Sequence, residues 1–328
     1  MIKELKRRLD RNDTFLRLVA TYLNKYERLV NAEIMEEITG GDKSLDERAF
    51  SSFLASAFID DAELEREILR DYFSISVAKL DADKYKNDPY YKNIKIPNKK
   101  LGNWTLGWQK YAPYEGFVRD DYLLLPDLKD VPMIGFFDEE FHFPTVFEDG
   151  VEWMAIKPNE IETMREPIAR AHGHVLTLGL GLGYFTYMVS EKEEVTDITV
   201  VEVDNDVIDI FNSVILPQFP HKDKVHIVKA DAFDFLKDKS NDRFDYIFAD
   251  MWHDTSDGTE MYIKLKKLEN DFHAHFEYWI ESSIIAMIRS RFLSSILEGI
   301  KTGECTFTYD EILQMLDLNY LSEFIKVI

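Results

Sequence analysis

The sequence predicts an α/β fold built on an open parallel sheet, and two observations lead to this prediction. A charge-free run, Val175–Leu178, is typical of a buried parallel strand, and glycines follow at once at positions 179, 181 and 183. Three more apolar runs come after it, separated by stretches long enough for crossover helices. We therefore expect the strand order 3-2-1-4-5, preceded by a helical segment and a small antiparallel β region.

The first part of the chain, residues 1–100, is predicted to be mainly helical. Apolar side chains recur at spacings of three and four within Leu5–Val30 and again within Phe50–Tyr72. Such faces usually pack into a core. The stretch Tyr85–Lys100 is rich in Lys, Asn, Asp, Tyr and Pro, which favours a loop or linker.

Residues 101–157 are predicted to form a small antiparallel β region. Short apolar runs alternate there with turn-forming Asp, Gly and Pro; they are Trp104–Trp108, Met133–Phe137, Phe141–Phe143 and Glu152–Ile156. A helix is then expected from Pro158 to Ala171, because proline is favoured in the first helical turn. This helix opens the third predicted region, residues 158–328.

The glycine-rich turn after Val175–Leu178 is the first candidate for a binding site. Glycines between a strand and a helix let backbone N–H groups approach a ligand that side chains would block. The cofactor end of a Rossmann-like nucleotide-binding unit has this arrangement. A tight strand-to-helix connection without any ligand remains the alternative for the turn taken alone.

Acidic residues follow the next predicted strands. The strand Ile198–Glu202 ends in a carboxylate 19 residues after Gly183, where a Rossmann unit binds ribose hydroxyls. Asp231 follows the strand Val225–Lys229, and Asp250 ends the strand Phe244–Asp250. Because the carboxyl ends of parallel strands share one edge of a sheet, we expect these three acids to lie together.

These motifs resemble a known family. They are similar to motifs I to IV of class I S-adenosylmethionine-dependent methyltransferases, in the spermidine-synthase-like branch, over about Pro158 to Asp254. The segments that carry the resemblance are Leu178–Gly183, Val201–Ile208, Leu216–Pro217, Ala230–Leu236 and Phe248–Asp250.

The resemblance implies an adenosyl-sulfonium cofactor. Its amino-acid part would lie over the turn formed by Gly179, Gly181 and Gly183. Glu202 would hold the ribose, and the Asp231-Ala232 pair would lie at the adenine, with Asp231 binding the adenine amino group.

The same resemblance suggests the residues of the reaction centre. Asp250 would position the nucleophile, with His253 or Asp254 as helpers. His253 is a candidate general base, because histidine titrates near neutral pH. Alternatively, His253, Asp250 and Asp254 could bind a divalent metal ion. We assign no metal site, since a loop histidine without a chemical role is the more ordinary case. In the family the segment before the glycine strand closes over the substrate, so Trp153, Asn159 and Glu160 are candidates for the pocket wall.

The sequence also departs from the family. Thr177 stands where many methyltransferases have an acid, and Leu182 stands where spermidine synthases have the aspartate that binds the aminopropyl amine. The run Asp250–Asp254 keeps the first acid of the Asp-Ser-Ser-Asp-Pro-like motif but not its interior or its proline. A buried amine without its acid costs about 3–5 kcal/mol, so ordinary S-adenosylmethionine is expected rather than the decarboxylated form.

The predicted function is therefore S-adenosylmethionine-dependent methyl transfer to a small, neutral or cationic molecule. Spermidine-synthase-like aminopropyl transfer and a non-catalytic cofactor-binding protein are the alternatives. NAD binding is a weaker one, because the dehydrogenase pattern G-x-G-x-x-G requires its third glycine one residue later.

Composition limits the partners. A formal net charge of −22 argues against a nucleic-acid substrate, which would require a basic face. The charged start of the chain, Met1–Arg11, is unlike a signal peptide, and no apolar run approaches membrane-span length. The single cysteine, Cys305, excludes an internal disulfide. We expect a cytoplasmic protein that binds a small-molecule substrate without nucleic acid or membrane, and a homo-oligomer is compatible with the sequence.

The last part of the chain is predicted less completely. The run Tyr278–Ile288 suits a fifth strand followed by a helix, and Tyr309–Ile325 suits a further helix. His273 and His275 are assigned a structural role. We find no pattern for the sixth and seventh antiparallel strands of a complete methyltransferase sheet, so either they are cryptic or the C-terminus is helical.

Overall fold

A computed structural model describes residues 2–238, 243–304, 306–317, 320–321 and 325–326. Cys305 and parts of the predicted helix Tyr309–Ile325 lie outside these residues. No helix in the described ranges combines the length and the apolar character needed to cross a bilayer.

The strands, in chain order, are β1 (Val77–Lys79), β2 (Lys99–Leu101), β3 (Trp104–Tyr111), β4 (Phe117–Leu124), β5 (Asp130–Phe136), β6 (Phe141–Glu148), β7 (Val151–Ala155), β8 (Gly173–Leu178), β9 (Val195–Glu202), β10 (Val225–Lys229), β11 (Tyr246–Ala249) and β12 (His275–Tyr278).

The α-helices are α1 (Ile2–Lys25), α2 (Ala32–Thr39), α3 (Asp46–Phe58), α4 (Ala62–Ile68), α5 (Ser74–Ser76), α6 (Ala82–Lys86), α7 (Pro89–Asn93), α8 (Pro158–Thr163), α9 (Arg165–Arg170), α10 (Tyr184–Ser190), α11 (Asn205–Ile210), α12 (Ala232–Lys237), α13 (Thr255–Glu269), α14 (Glu281–Thr302) and α15 (Tyr309–Met315). Short 3₁₀ segments are Lys43–Leu45, Leu216–Gln218 and Lys222–Lys224, and π segments are Leu69–Phe73 and Phe211–Ile215.

The chain divides into two compact units. One consists of Met1–Ala82, Tyr111–Phe141 and Ser282–Ile328, and the other of Asp83–Lys110 and His142–Glu281. This division differs from the predicted regions 1–100, 101–157 and 158–328. The C-terminal helices group with the N-terminal helices because their apolar faces share a core, formed by Leu5, Leu128, Leu293, Ile296, Ile312 and Leu316.

The second unit contains the predicted parallel sheet. Its order is β10-β9-β8-β11-β12 and every neighbouring pair is parallel, which confirms the order 3-2-1-4-5. Leu178 pairs with Val201 on one side and with Ala249 on the other, so the carboxyl ends of β8, β9 and β11 are aligned. The sheet has five strands within the described residues, and the segment after β12 is helical there.

The smaller sheets differ from the prediction of a single antiparallel one. In the first unit β1, β5 and β4 form a sheet in which β1 runs parallel to β5. In the second unit β2, β3, β6 and β7 form a separate sheet, with β2–β3 and β6–β7 antiparallel. The predicted linker Tyr85–Lys100 contains α7 and the start of β2, and the predicted helix Pro158–Ala171 is divided at Met164 into α8 and α9.

Gly183 is required where β8 passes into α10. Its φ is +72°, and a Cβ there would lie 2.3 Å from a ring carbon of Phe211. Gly150, in the turn between β6 and β7, has a similar φ of +84° but open space around the same position. Substituting Gly150 therefore adds only the strain of a left-handed backbone, whereas substituting Gly183 adds this strain and a steric clash with Phe211.

We expect Gly183→Ala to lower the free energy of unfolding by about 2–4 kcal/mol, from left-handed strain plus overpacking. Gly150→Ala, which carries the strain alone, should cost about 1–2 kcal/mol. Urea denaturation of both variants measures the difference. Equal losses would show that Phe211 does not constrain this turn.

Candidate active site

A cavity of about 590 Å³ lies at the carboxyl edge of the parallel sheet. It is lined by residues that follow β8, β9, β10, β11 and β12, together with residues of β7 and the start of α8. The acidic side chains among them are Glu152, Glu160, Glu202, Asp204, Asp231 and Asp250. The structure thus brings the three acids predicted at the strand ends to one cavity.

The glycine turn lies against this cavity through two of its three glycines. Gly179 has a φ of +98°, and a Cβ there would be 1.8 Å from the backbone oxygen of Asp250. Gly181 has a φ of +52°, and its Cβ would be 2.4 Å from the Met154 sulfur. Both line the cavity, whereas Gly183 is not among the lining residues and serves the start of α10.

Glu202 organises the turn from the end of β9. Its Oε1 accepts hydrogen bonds from the backbone N–H groups of Val203 (2.7 Å) and Asp204 (2.8 Å), and its Oε2 accepts one from that of Leu180 (3.1 Å). The side chain is buried but lines the cavity. A carboxylate offers about four acceptor sites, so about one, on Oε2, is left for a ligand hydroxyl.

Asp231 and Ala232 begin α12 beside the cavity. Asp231 is the N-cap residue, and its Oδ1 accepts a hydrogen bond of 3.0 Å from the backbone N–H of Asp234. Ala232 is the first residue of the helix, and both line the cavity. The predicted adenine-binding residues therefore lie on the same wall as Glu202.

Asp250 and Glu160 are two carboxyl groups in the cavity wall whose pKa values are raised. Burial, followed by the nearby charge of Glu202, raises the pKa of Asp250 to about 7. Burial, followed by the charge of Asp250, raises the pKa of Glu160 to about 8, and the Asn159 side chain donates a hydrogen bond of 3.3 Å to it. Near neutral pH the pair therefore holds a proton and is able to accept another from a nucleophile.

The two other predicted catalytic residues differ in position. His253 lines the cavity, is exposed, and lies with its Nδ1 3.4 Å from Asp257. Asp254 is not among the lining residues: its carboxylate caps α13 by accepting from the backbone N–H of Ser256 at 2.7 Å. The role of Asp254 as a catalytic helper stays a prediction, and its side chain is engaged by the helix start.

A metal site at His253 has no support in the arrangement. Within the described ranges, no group of three or more His, Cys, Asp or Glu side chains is placed to hold a metal ion.

Leu182 stands where the family has an amine-binding aspartate, but it lies in the protein interior rather than in the cavity wall. It is buried and is not a lining residue; its carbonyl accepts from the Tyr90 hydroxyl at 2.6 Å, and its N–H donates to the Met154 sulfur at 3.1 Å. Substituting this position therefore does not by itself place a side chain in the cavity.

Several lining residues were not predicted from the sequence. Trp153, Asn159 and Glu160 were expected and do line the cavity; those missed include Met154, Lys157, Met251, Trp252, Met261 and Trp279. Met154 and Lys157 lie on either side of Ala155 and Ile156. An apolar run that ends in a lysine matches no binding motif, so no sequence signal identifies these two residues. Their position in the wall depends on how β7 and α8 approach the glycine turn.

The raised pKa values of Glu160 and Asp250 lead to a prediction about stability. The folded chain holds these protons more tightly than the unfolded chain, so the resulting stabilisation is complete below about pH 4 and lost as pH rises to about 8. We expect the melting temperature of Glu160→Gln, relative to wild type, to be higher at pH 8.5 than at pH 5. The exposed Glu193→Gln is the control, and an equal offset of Glu160→Gln at both pH values would contradict the assignment.

Comparison with known proteins agrees with the motifs. Residues 161–267 match the spermine/spermidine synthase domain family, which covers about one third of the chain. No significant match was found among curated proteins.

Two of the solved structures to which part of the chain is similar are a spermidine synthase and an O-methyltransferase. The spermidine synthase from Thermotoga maritima is 16% identical, over 44% of this chain and 54% of that chain, with a TM-score of 0.33. An O-methyltransferase from Bacillus cereus in complex with SAH is 21% identical, over 32% of this chain and 49% of that chain, with a TM-score of 0.26. The chain thus spans about half the length of these proteins. The match over residues 161–267 confirms the predicted resemblance to the spermidine-synthase-like branch for that part of the chain.

Proposed function

We propose that the protein binds S-adenosylmethionine and transfers its methyl group to a small, neutral or cationic molecule. The observation that supports this most is the meeting of the Gly179–Gly181 turn, Glu202 and Asp250 at one cavity. Gly179 and Gly181 both line this cavity of about 590 Å³, an arrangement that a strand-to-helix connection without a ligand would not require.

The residues present fit such a cofactor. Gly179 and Gly181 line the cavity without a side chain, and Glu202 keeps about one acceptor site for a ribose hydroxyl. Asp231 and Ala232 would flank the adenine. S-adenosylmethionine, when bound, supplies a methyl group already activated by a positively charged sulfur.

The chain's own contribution would be alignment and proton transfer. Asp250 would hold the acceptor beside the glycine turn, since its backbone oxygen lies directly against Gly179. Its carboxyl group, with a pKa of about 7, is suited to accept a proton from the nucleophile. Six acidic side chains in the wall favour a neutral or cationic acceptor over an anionic one.

Aminopropyl transfer to an amine is the second candidate, and the domain match over residues 161–267 favours it. The acidic wall would also suit a polyamine. One feature of the chain counts against it: His253 stands where the family's Asp-rich run has its second acid.

The cofactor proposal is tested at Gly181. We expect Gly181→Val to weaken S-adenosylmethionine binding, measured by isothermal titration, by at least tenfold, because its side chain would displace Met154 into the space over the turn. Gly40→Val is the control, since Gly40 has a similar φ of +62° with open space around it. Unchanged binding in a folded Gly181→Val variant would leave the turn with a purely structural role.

The reaction proposal is tested at Asp250. Wild-type protein should methylate a small neutral or amine acceptor with S-adenosylmethionine, and Asp250→Asn should bind the cofactor but lose at least about 100-fold in rate. Product analysis with decarboxylated S-adenosylmethionine and putrescine or spermidine provides the second arm. Turnover in that arm alone would replace methyl transfer by aminopropyl transfer, and cofactor binding without turnover in either arm would indicate a binding protein.

A further inference from the structure

The described lining of the cavity contains one basic side chain, a lysine, among six acidic ones. Of the described residues that line it, six are Asp or Glu, whereas Lys157 is the sole Lys or Arg. A ligand that carries a carboxylate would meet repulsion along most of this wall. Lys157 is therefore the group that decides whether such a ligand is accepted.

Lys157 is held in the wall rather than extended into solvent. It precedes Pro158, the first residue of α8, and its side chain is 26% exposed. Its ammonium group forms an ion pair with Glu152 and lies 5.7 Å from the centre of the Phe143 ring. The aromatic ring and the short connection from β7 to α8 limit where the charge is able to move.

The charge of Lys157 also acts on the interior of the site. It opposes the effect of burial on the pKa of Glu160, whose neighbour in turn is Asp250. The same segment of chain contacts the glycine turn, because the Met154 sulfur accepts the Leu182 N–H at 3.1 Å. Lys157 thus lies in the cavity wall, within electrostatic reach of Glu160, on the segment that contacts the turn through Met154.

We infer that Lys157 recognises the carboxylate of the methionyl part of the cofactor and so selects S-adenosylmethionine over its decarboxylated form. This inference rests on the proposed function. It replaces Leu182 as the reason for the selection, since Leu182 is buried away from the cavity and cannot contact either cofactor with its side chain. Glu152 would compete with the cofactor carboxylate for the same ammonium group.

The test is a pair of ligands that differ by one carboxylate. Isothermal titration of the full chain with S-adenosylmethionine and with decarboxylated S-adenosylmethionine gives the discrimination ratio. We expect wild type to prefer S-adenosylmethionine by at least about tenfold, and Lys157→Met to reduce that ratio at least about tenfold by weakening S-adenosylmethionine alone. Lys157→Arg should retain the preference, and Glu152→Gln should strengthen S-adenosylmethionine binding because the competing anion is removed.

The control is Lys222→Met, which removes an equal charge from an exposed position outside the cavity wall. An unchanged ratio in Lys157→Met, or equal weakening of both ligands, would overturn the inference while leaving the cofactor proposal intact. Failure of wild type to bind either ligand would overturn both. Circular dichroism confirms that each variant is folded.

Discussion

The site depends on the hydrogen bonds that hold the buried carboxylate of Glu202. A buried charge is tolerated when hydrogen bonds satisfy it, and three backbone N–H groups, of Leu180, Val203 and Asp204, do so here. The bond to Leu180 ties the end of β9 to the turn after β8. Because the turn is fixed in this way, Gly179 lies against the backbone of Asp250, and both residues line the cavity.

The same constraint sets the electrostatics of the site. The charge of Glu202 acts on Asp250, and that of Asp250 acts on Glu160, so a series of carboxyl groups extends from the turn into the cavity. The pKa values of Asp250 and Glu160 are both raised, since burial and the charge of the preceding group add together. A cationic ligand, or one that releases a proton, would relieve this repulsion. An anionic group of a ligand would be balanced by Lys157, which is paired with Glu152.

The sheet and the acids at its edge could be predicted from the sequence because they depend on local pattern. Buried parallel strands are continuous apolar runs, and Glu202, Asp231 and Asp250 directly follow such runs. β4 (Phe117–Leu124) was missed because it carries Arg and two Asp in its middle, and β1 because it has three residues. The helix-capping position of Asp254 could not be predicted, since a helix cap and a catalytic acid look alike in a sequence. The grouping of the C-terminal helices with the N-terminal ones depends on contacts between distant segments.

The most direct test of this account is a crystal structure of the full chain with S-adenosylhomocysteine. The account expects the ribose at Glu202, the adenine beside Asp231 and Ala232, and the amino-acid part over Gly179 and Gly181. Met154 would then be displaced or packed against the ligand. Ligand density elsewhere on the protein, or a Glu202 carboxylate with no contact to the ligand, would contradict the central claim.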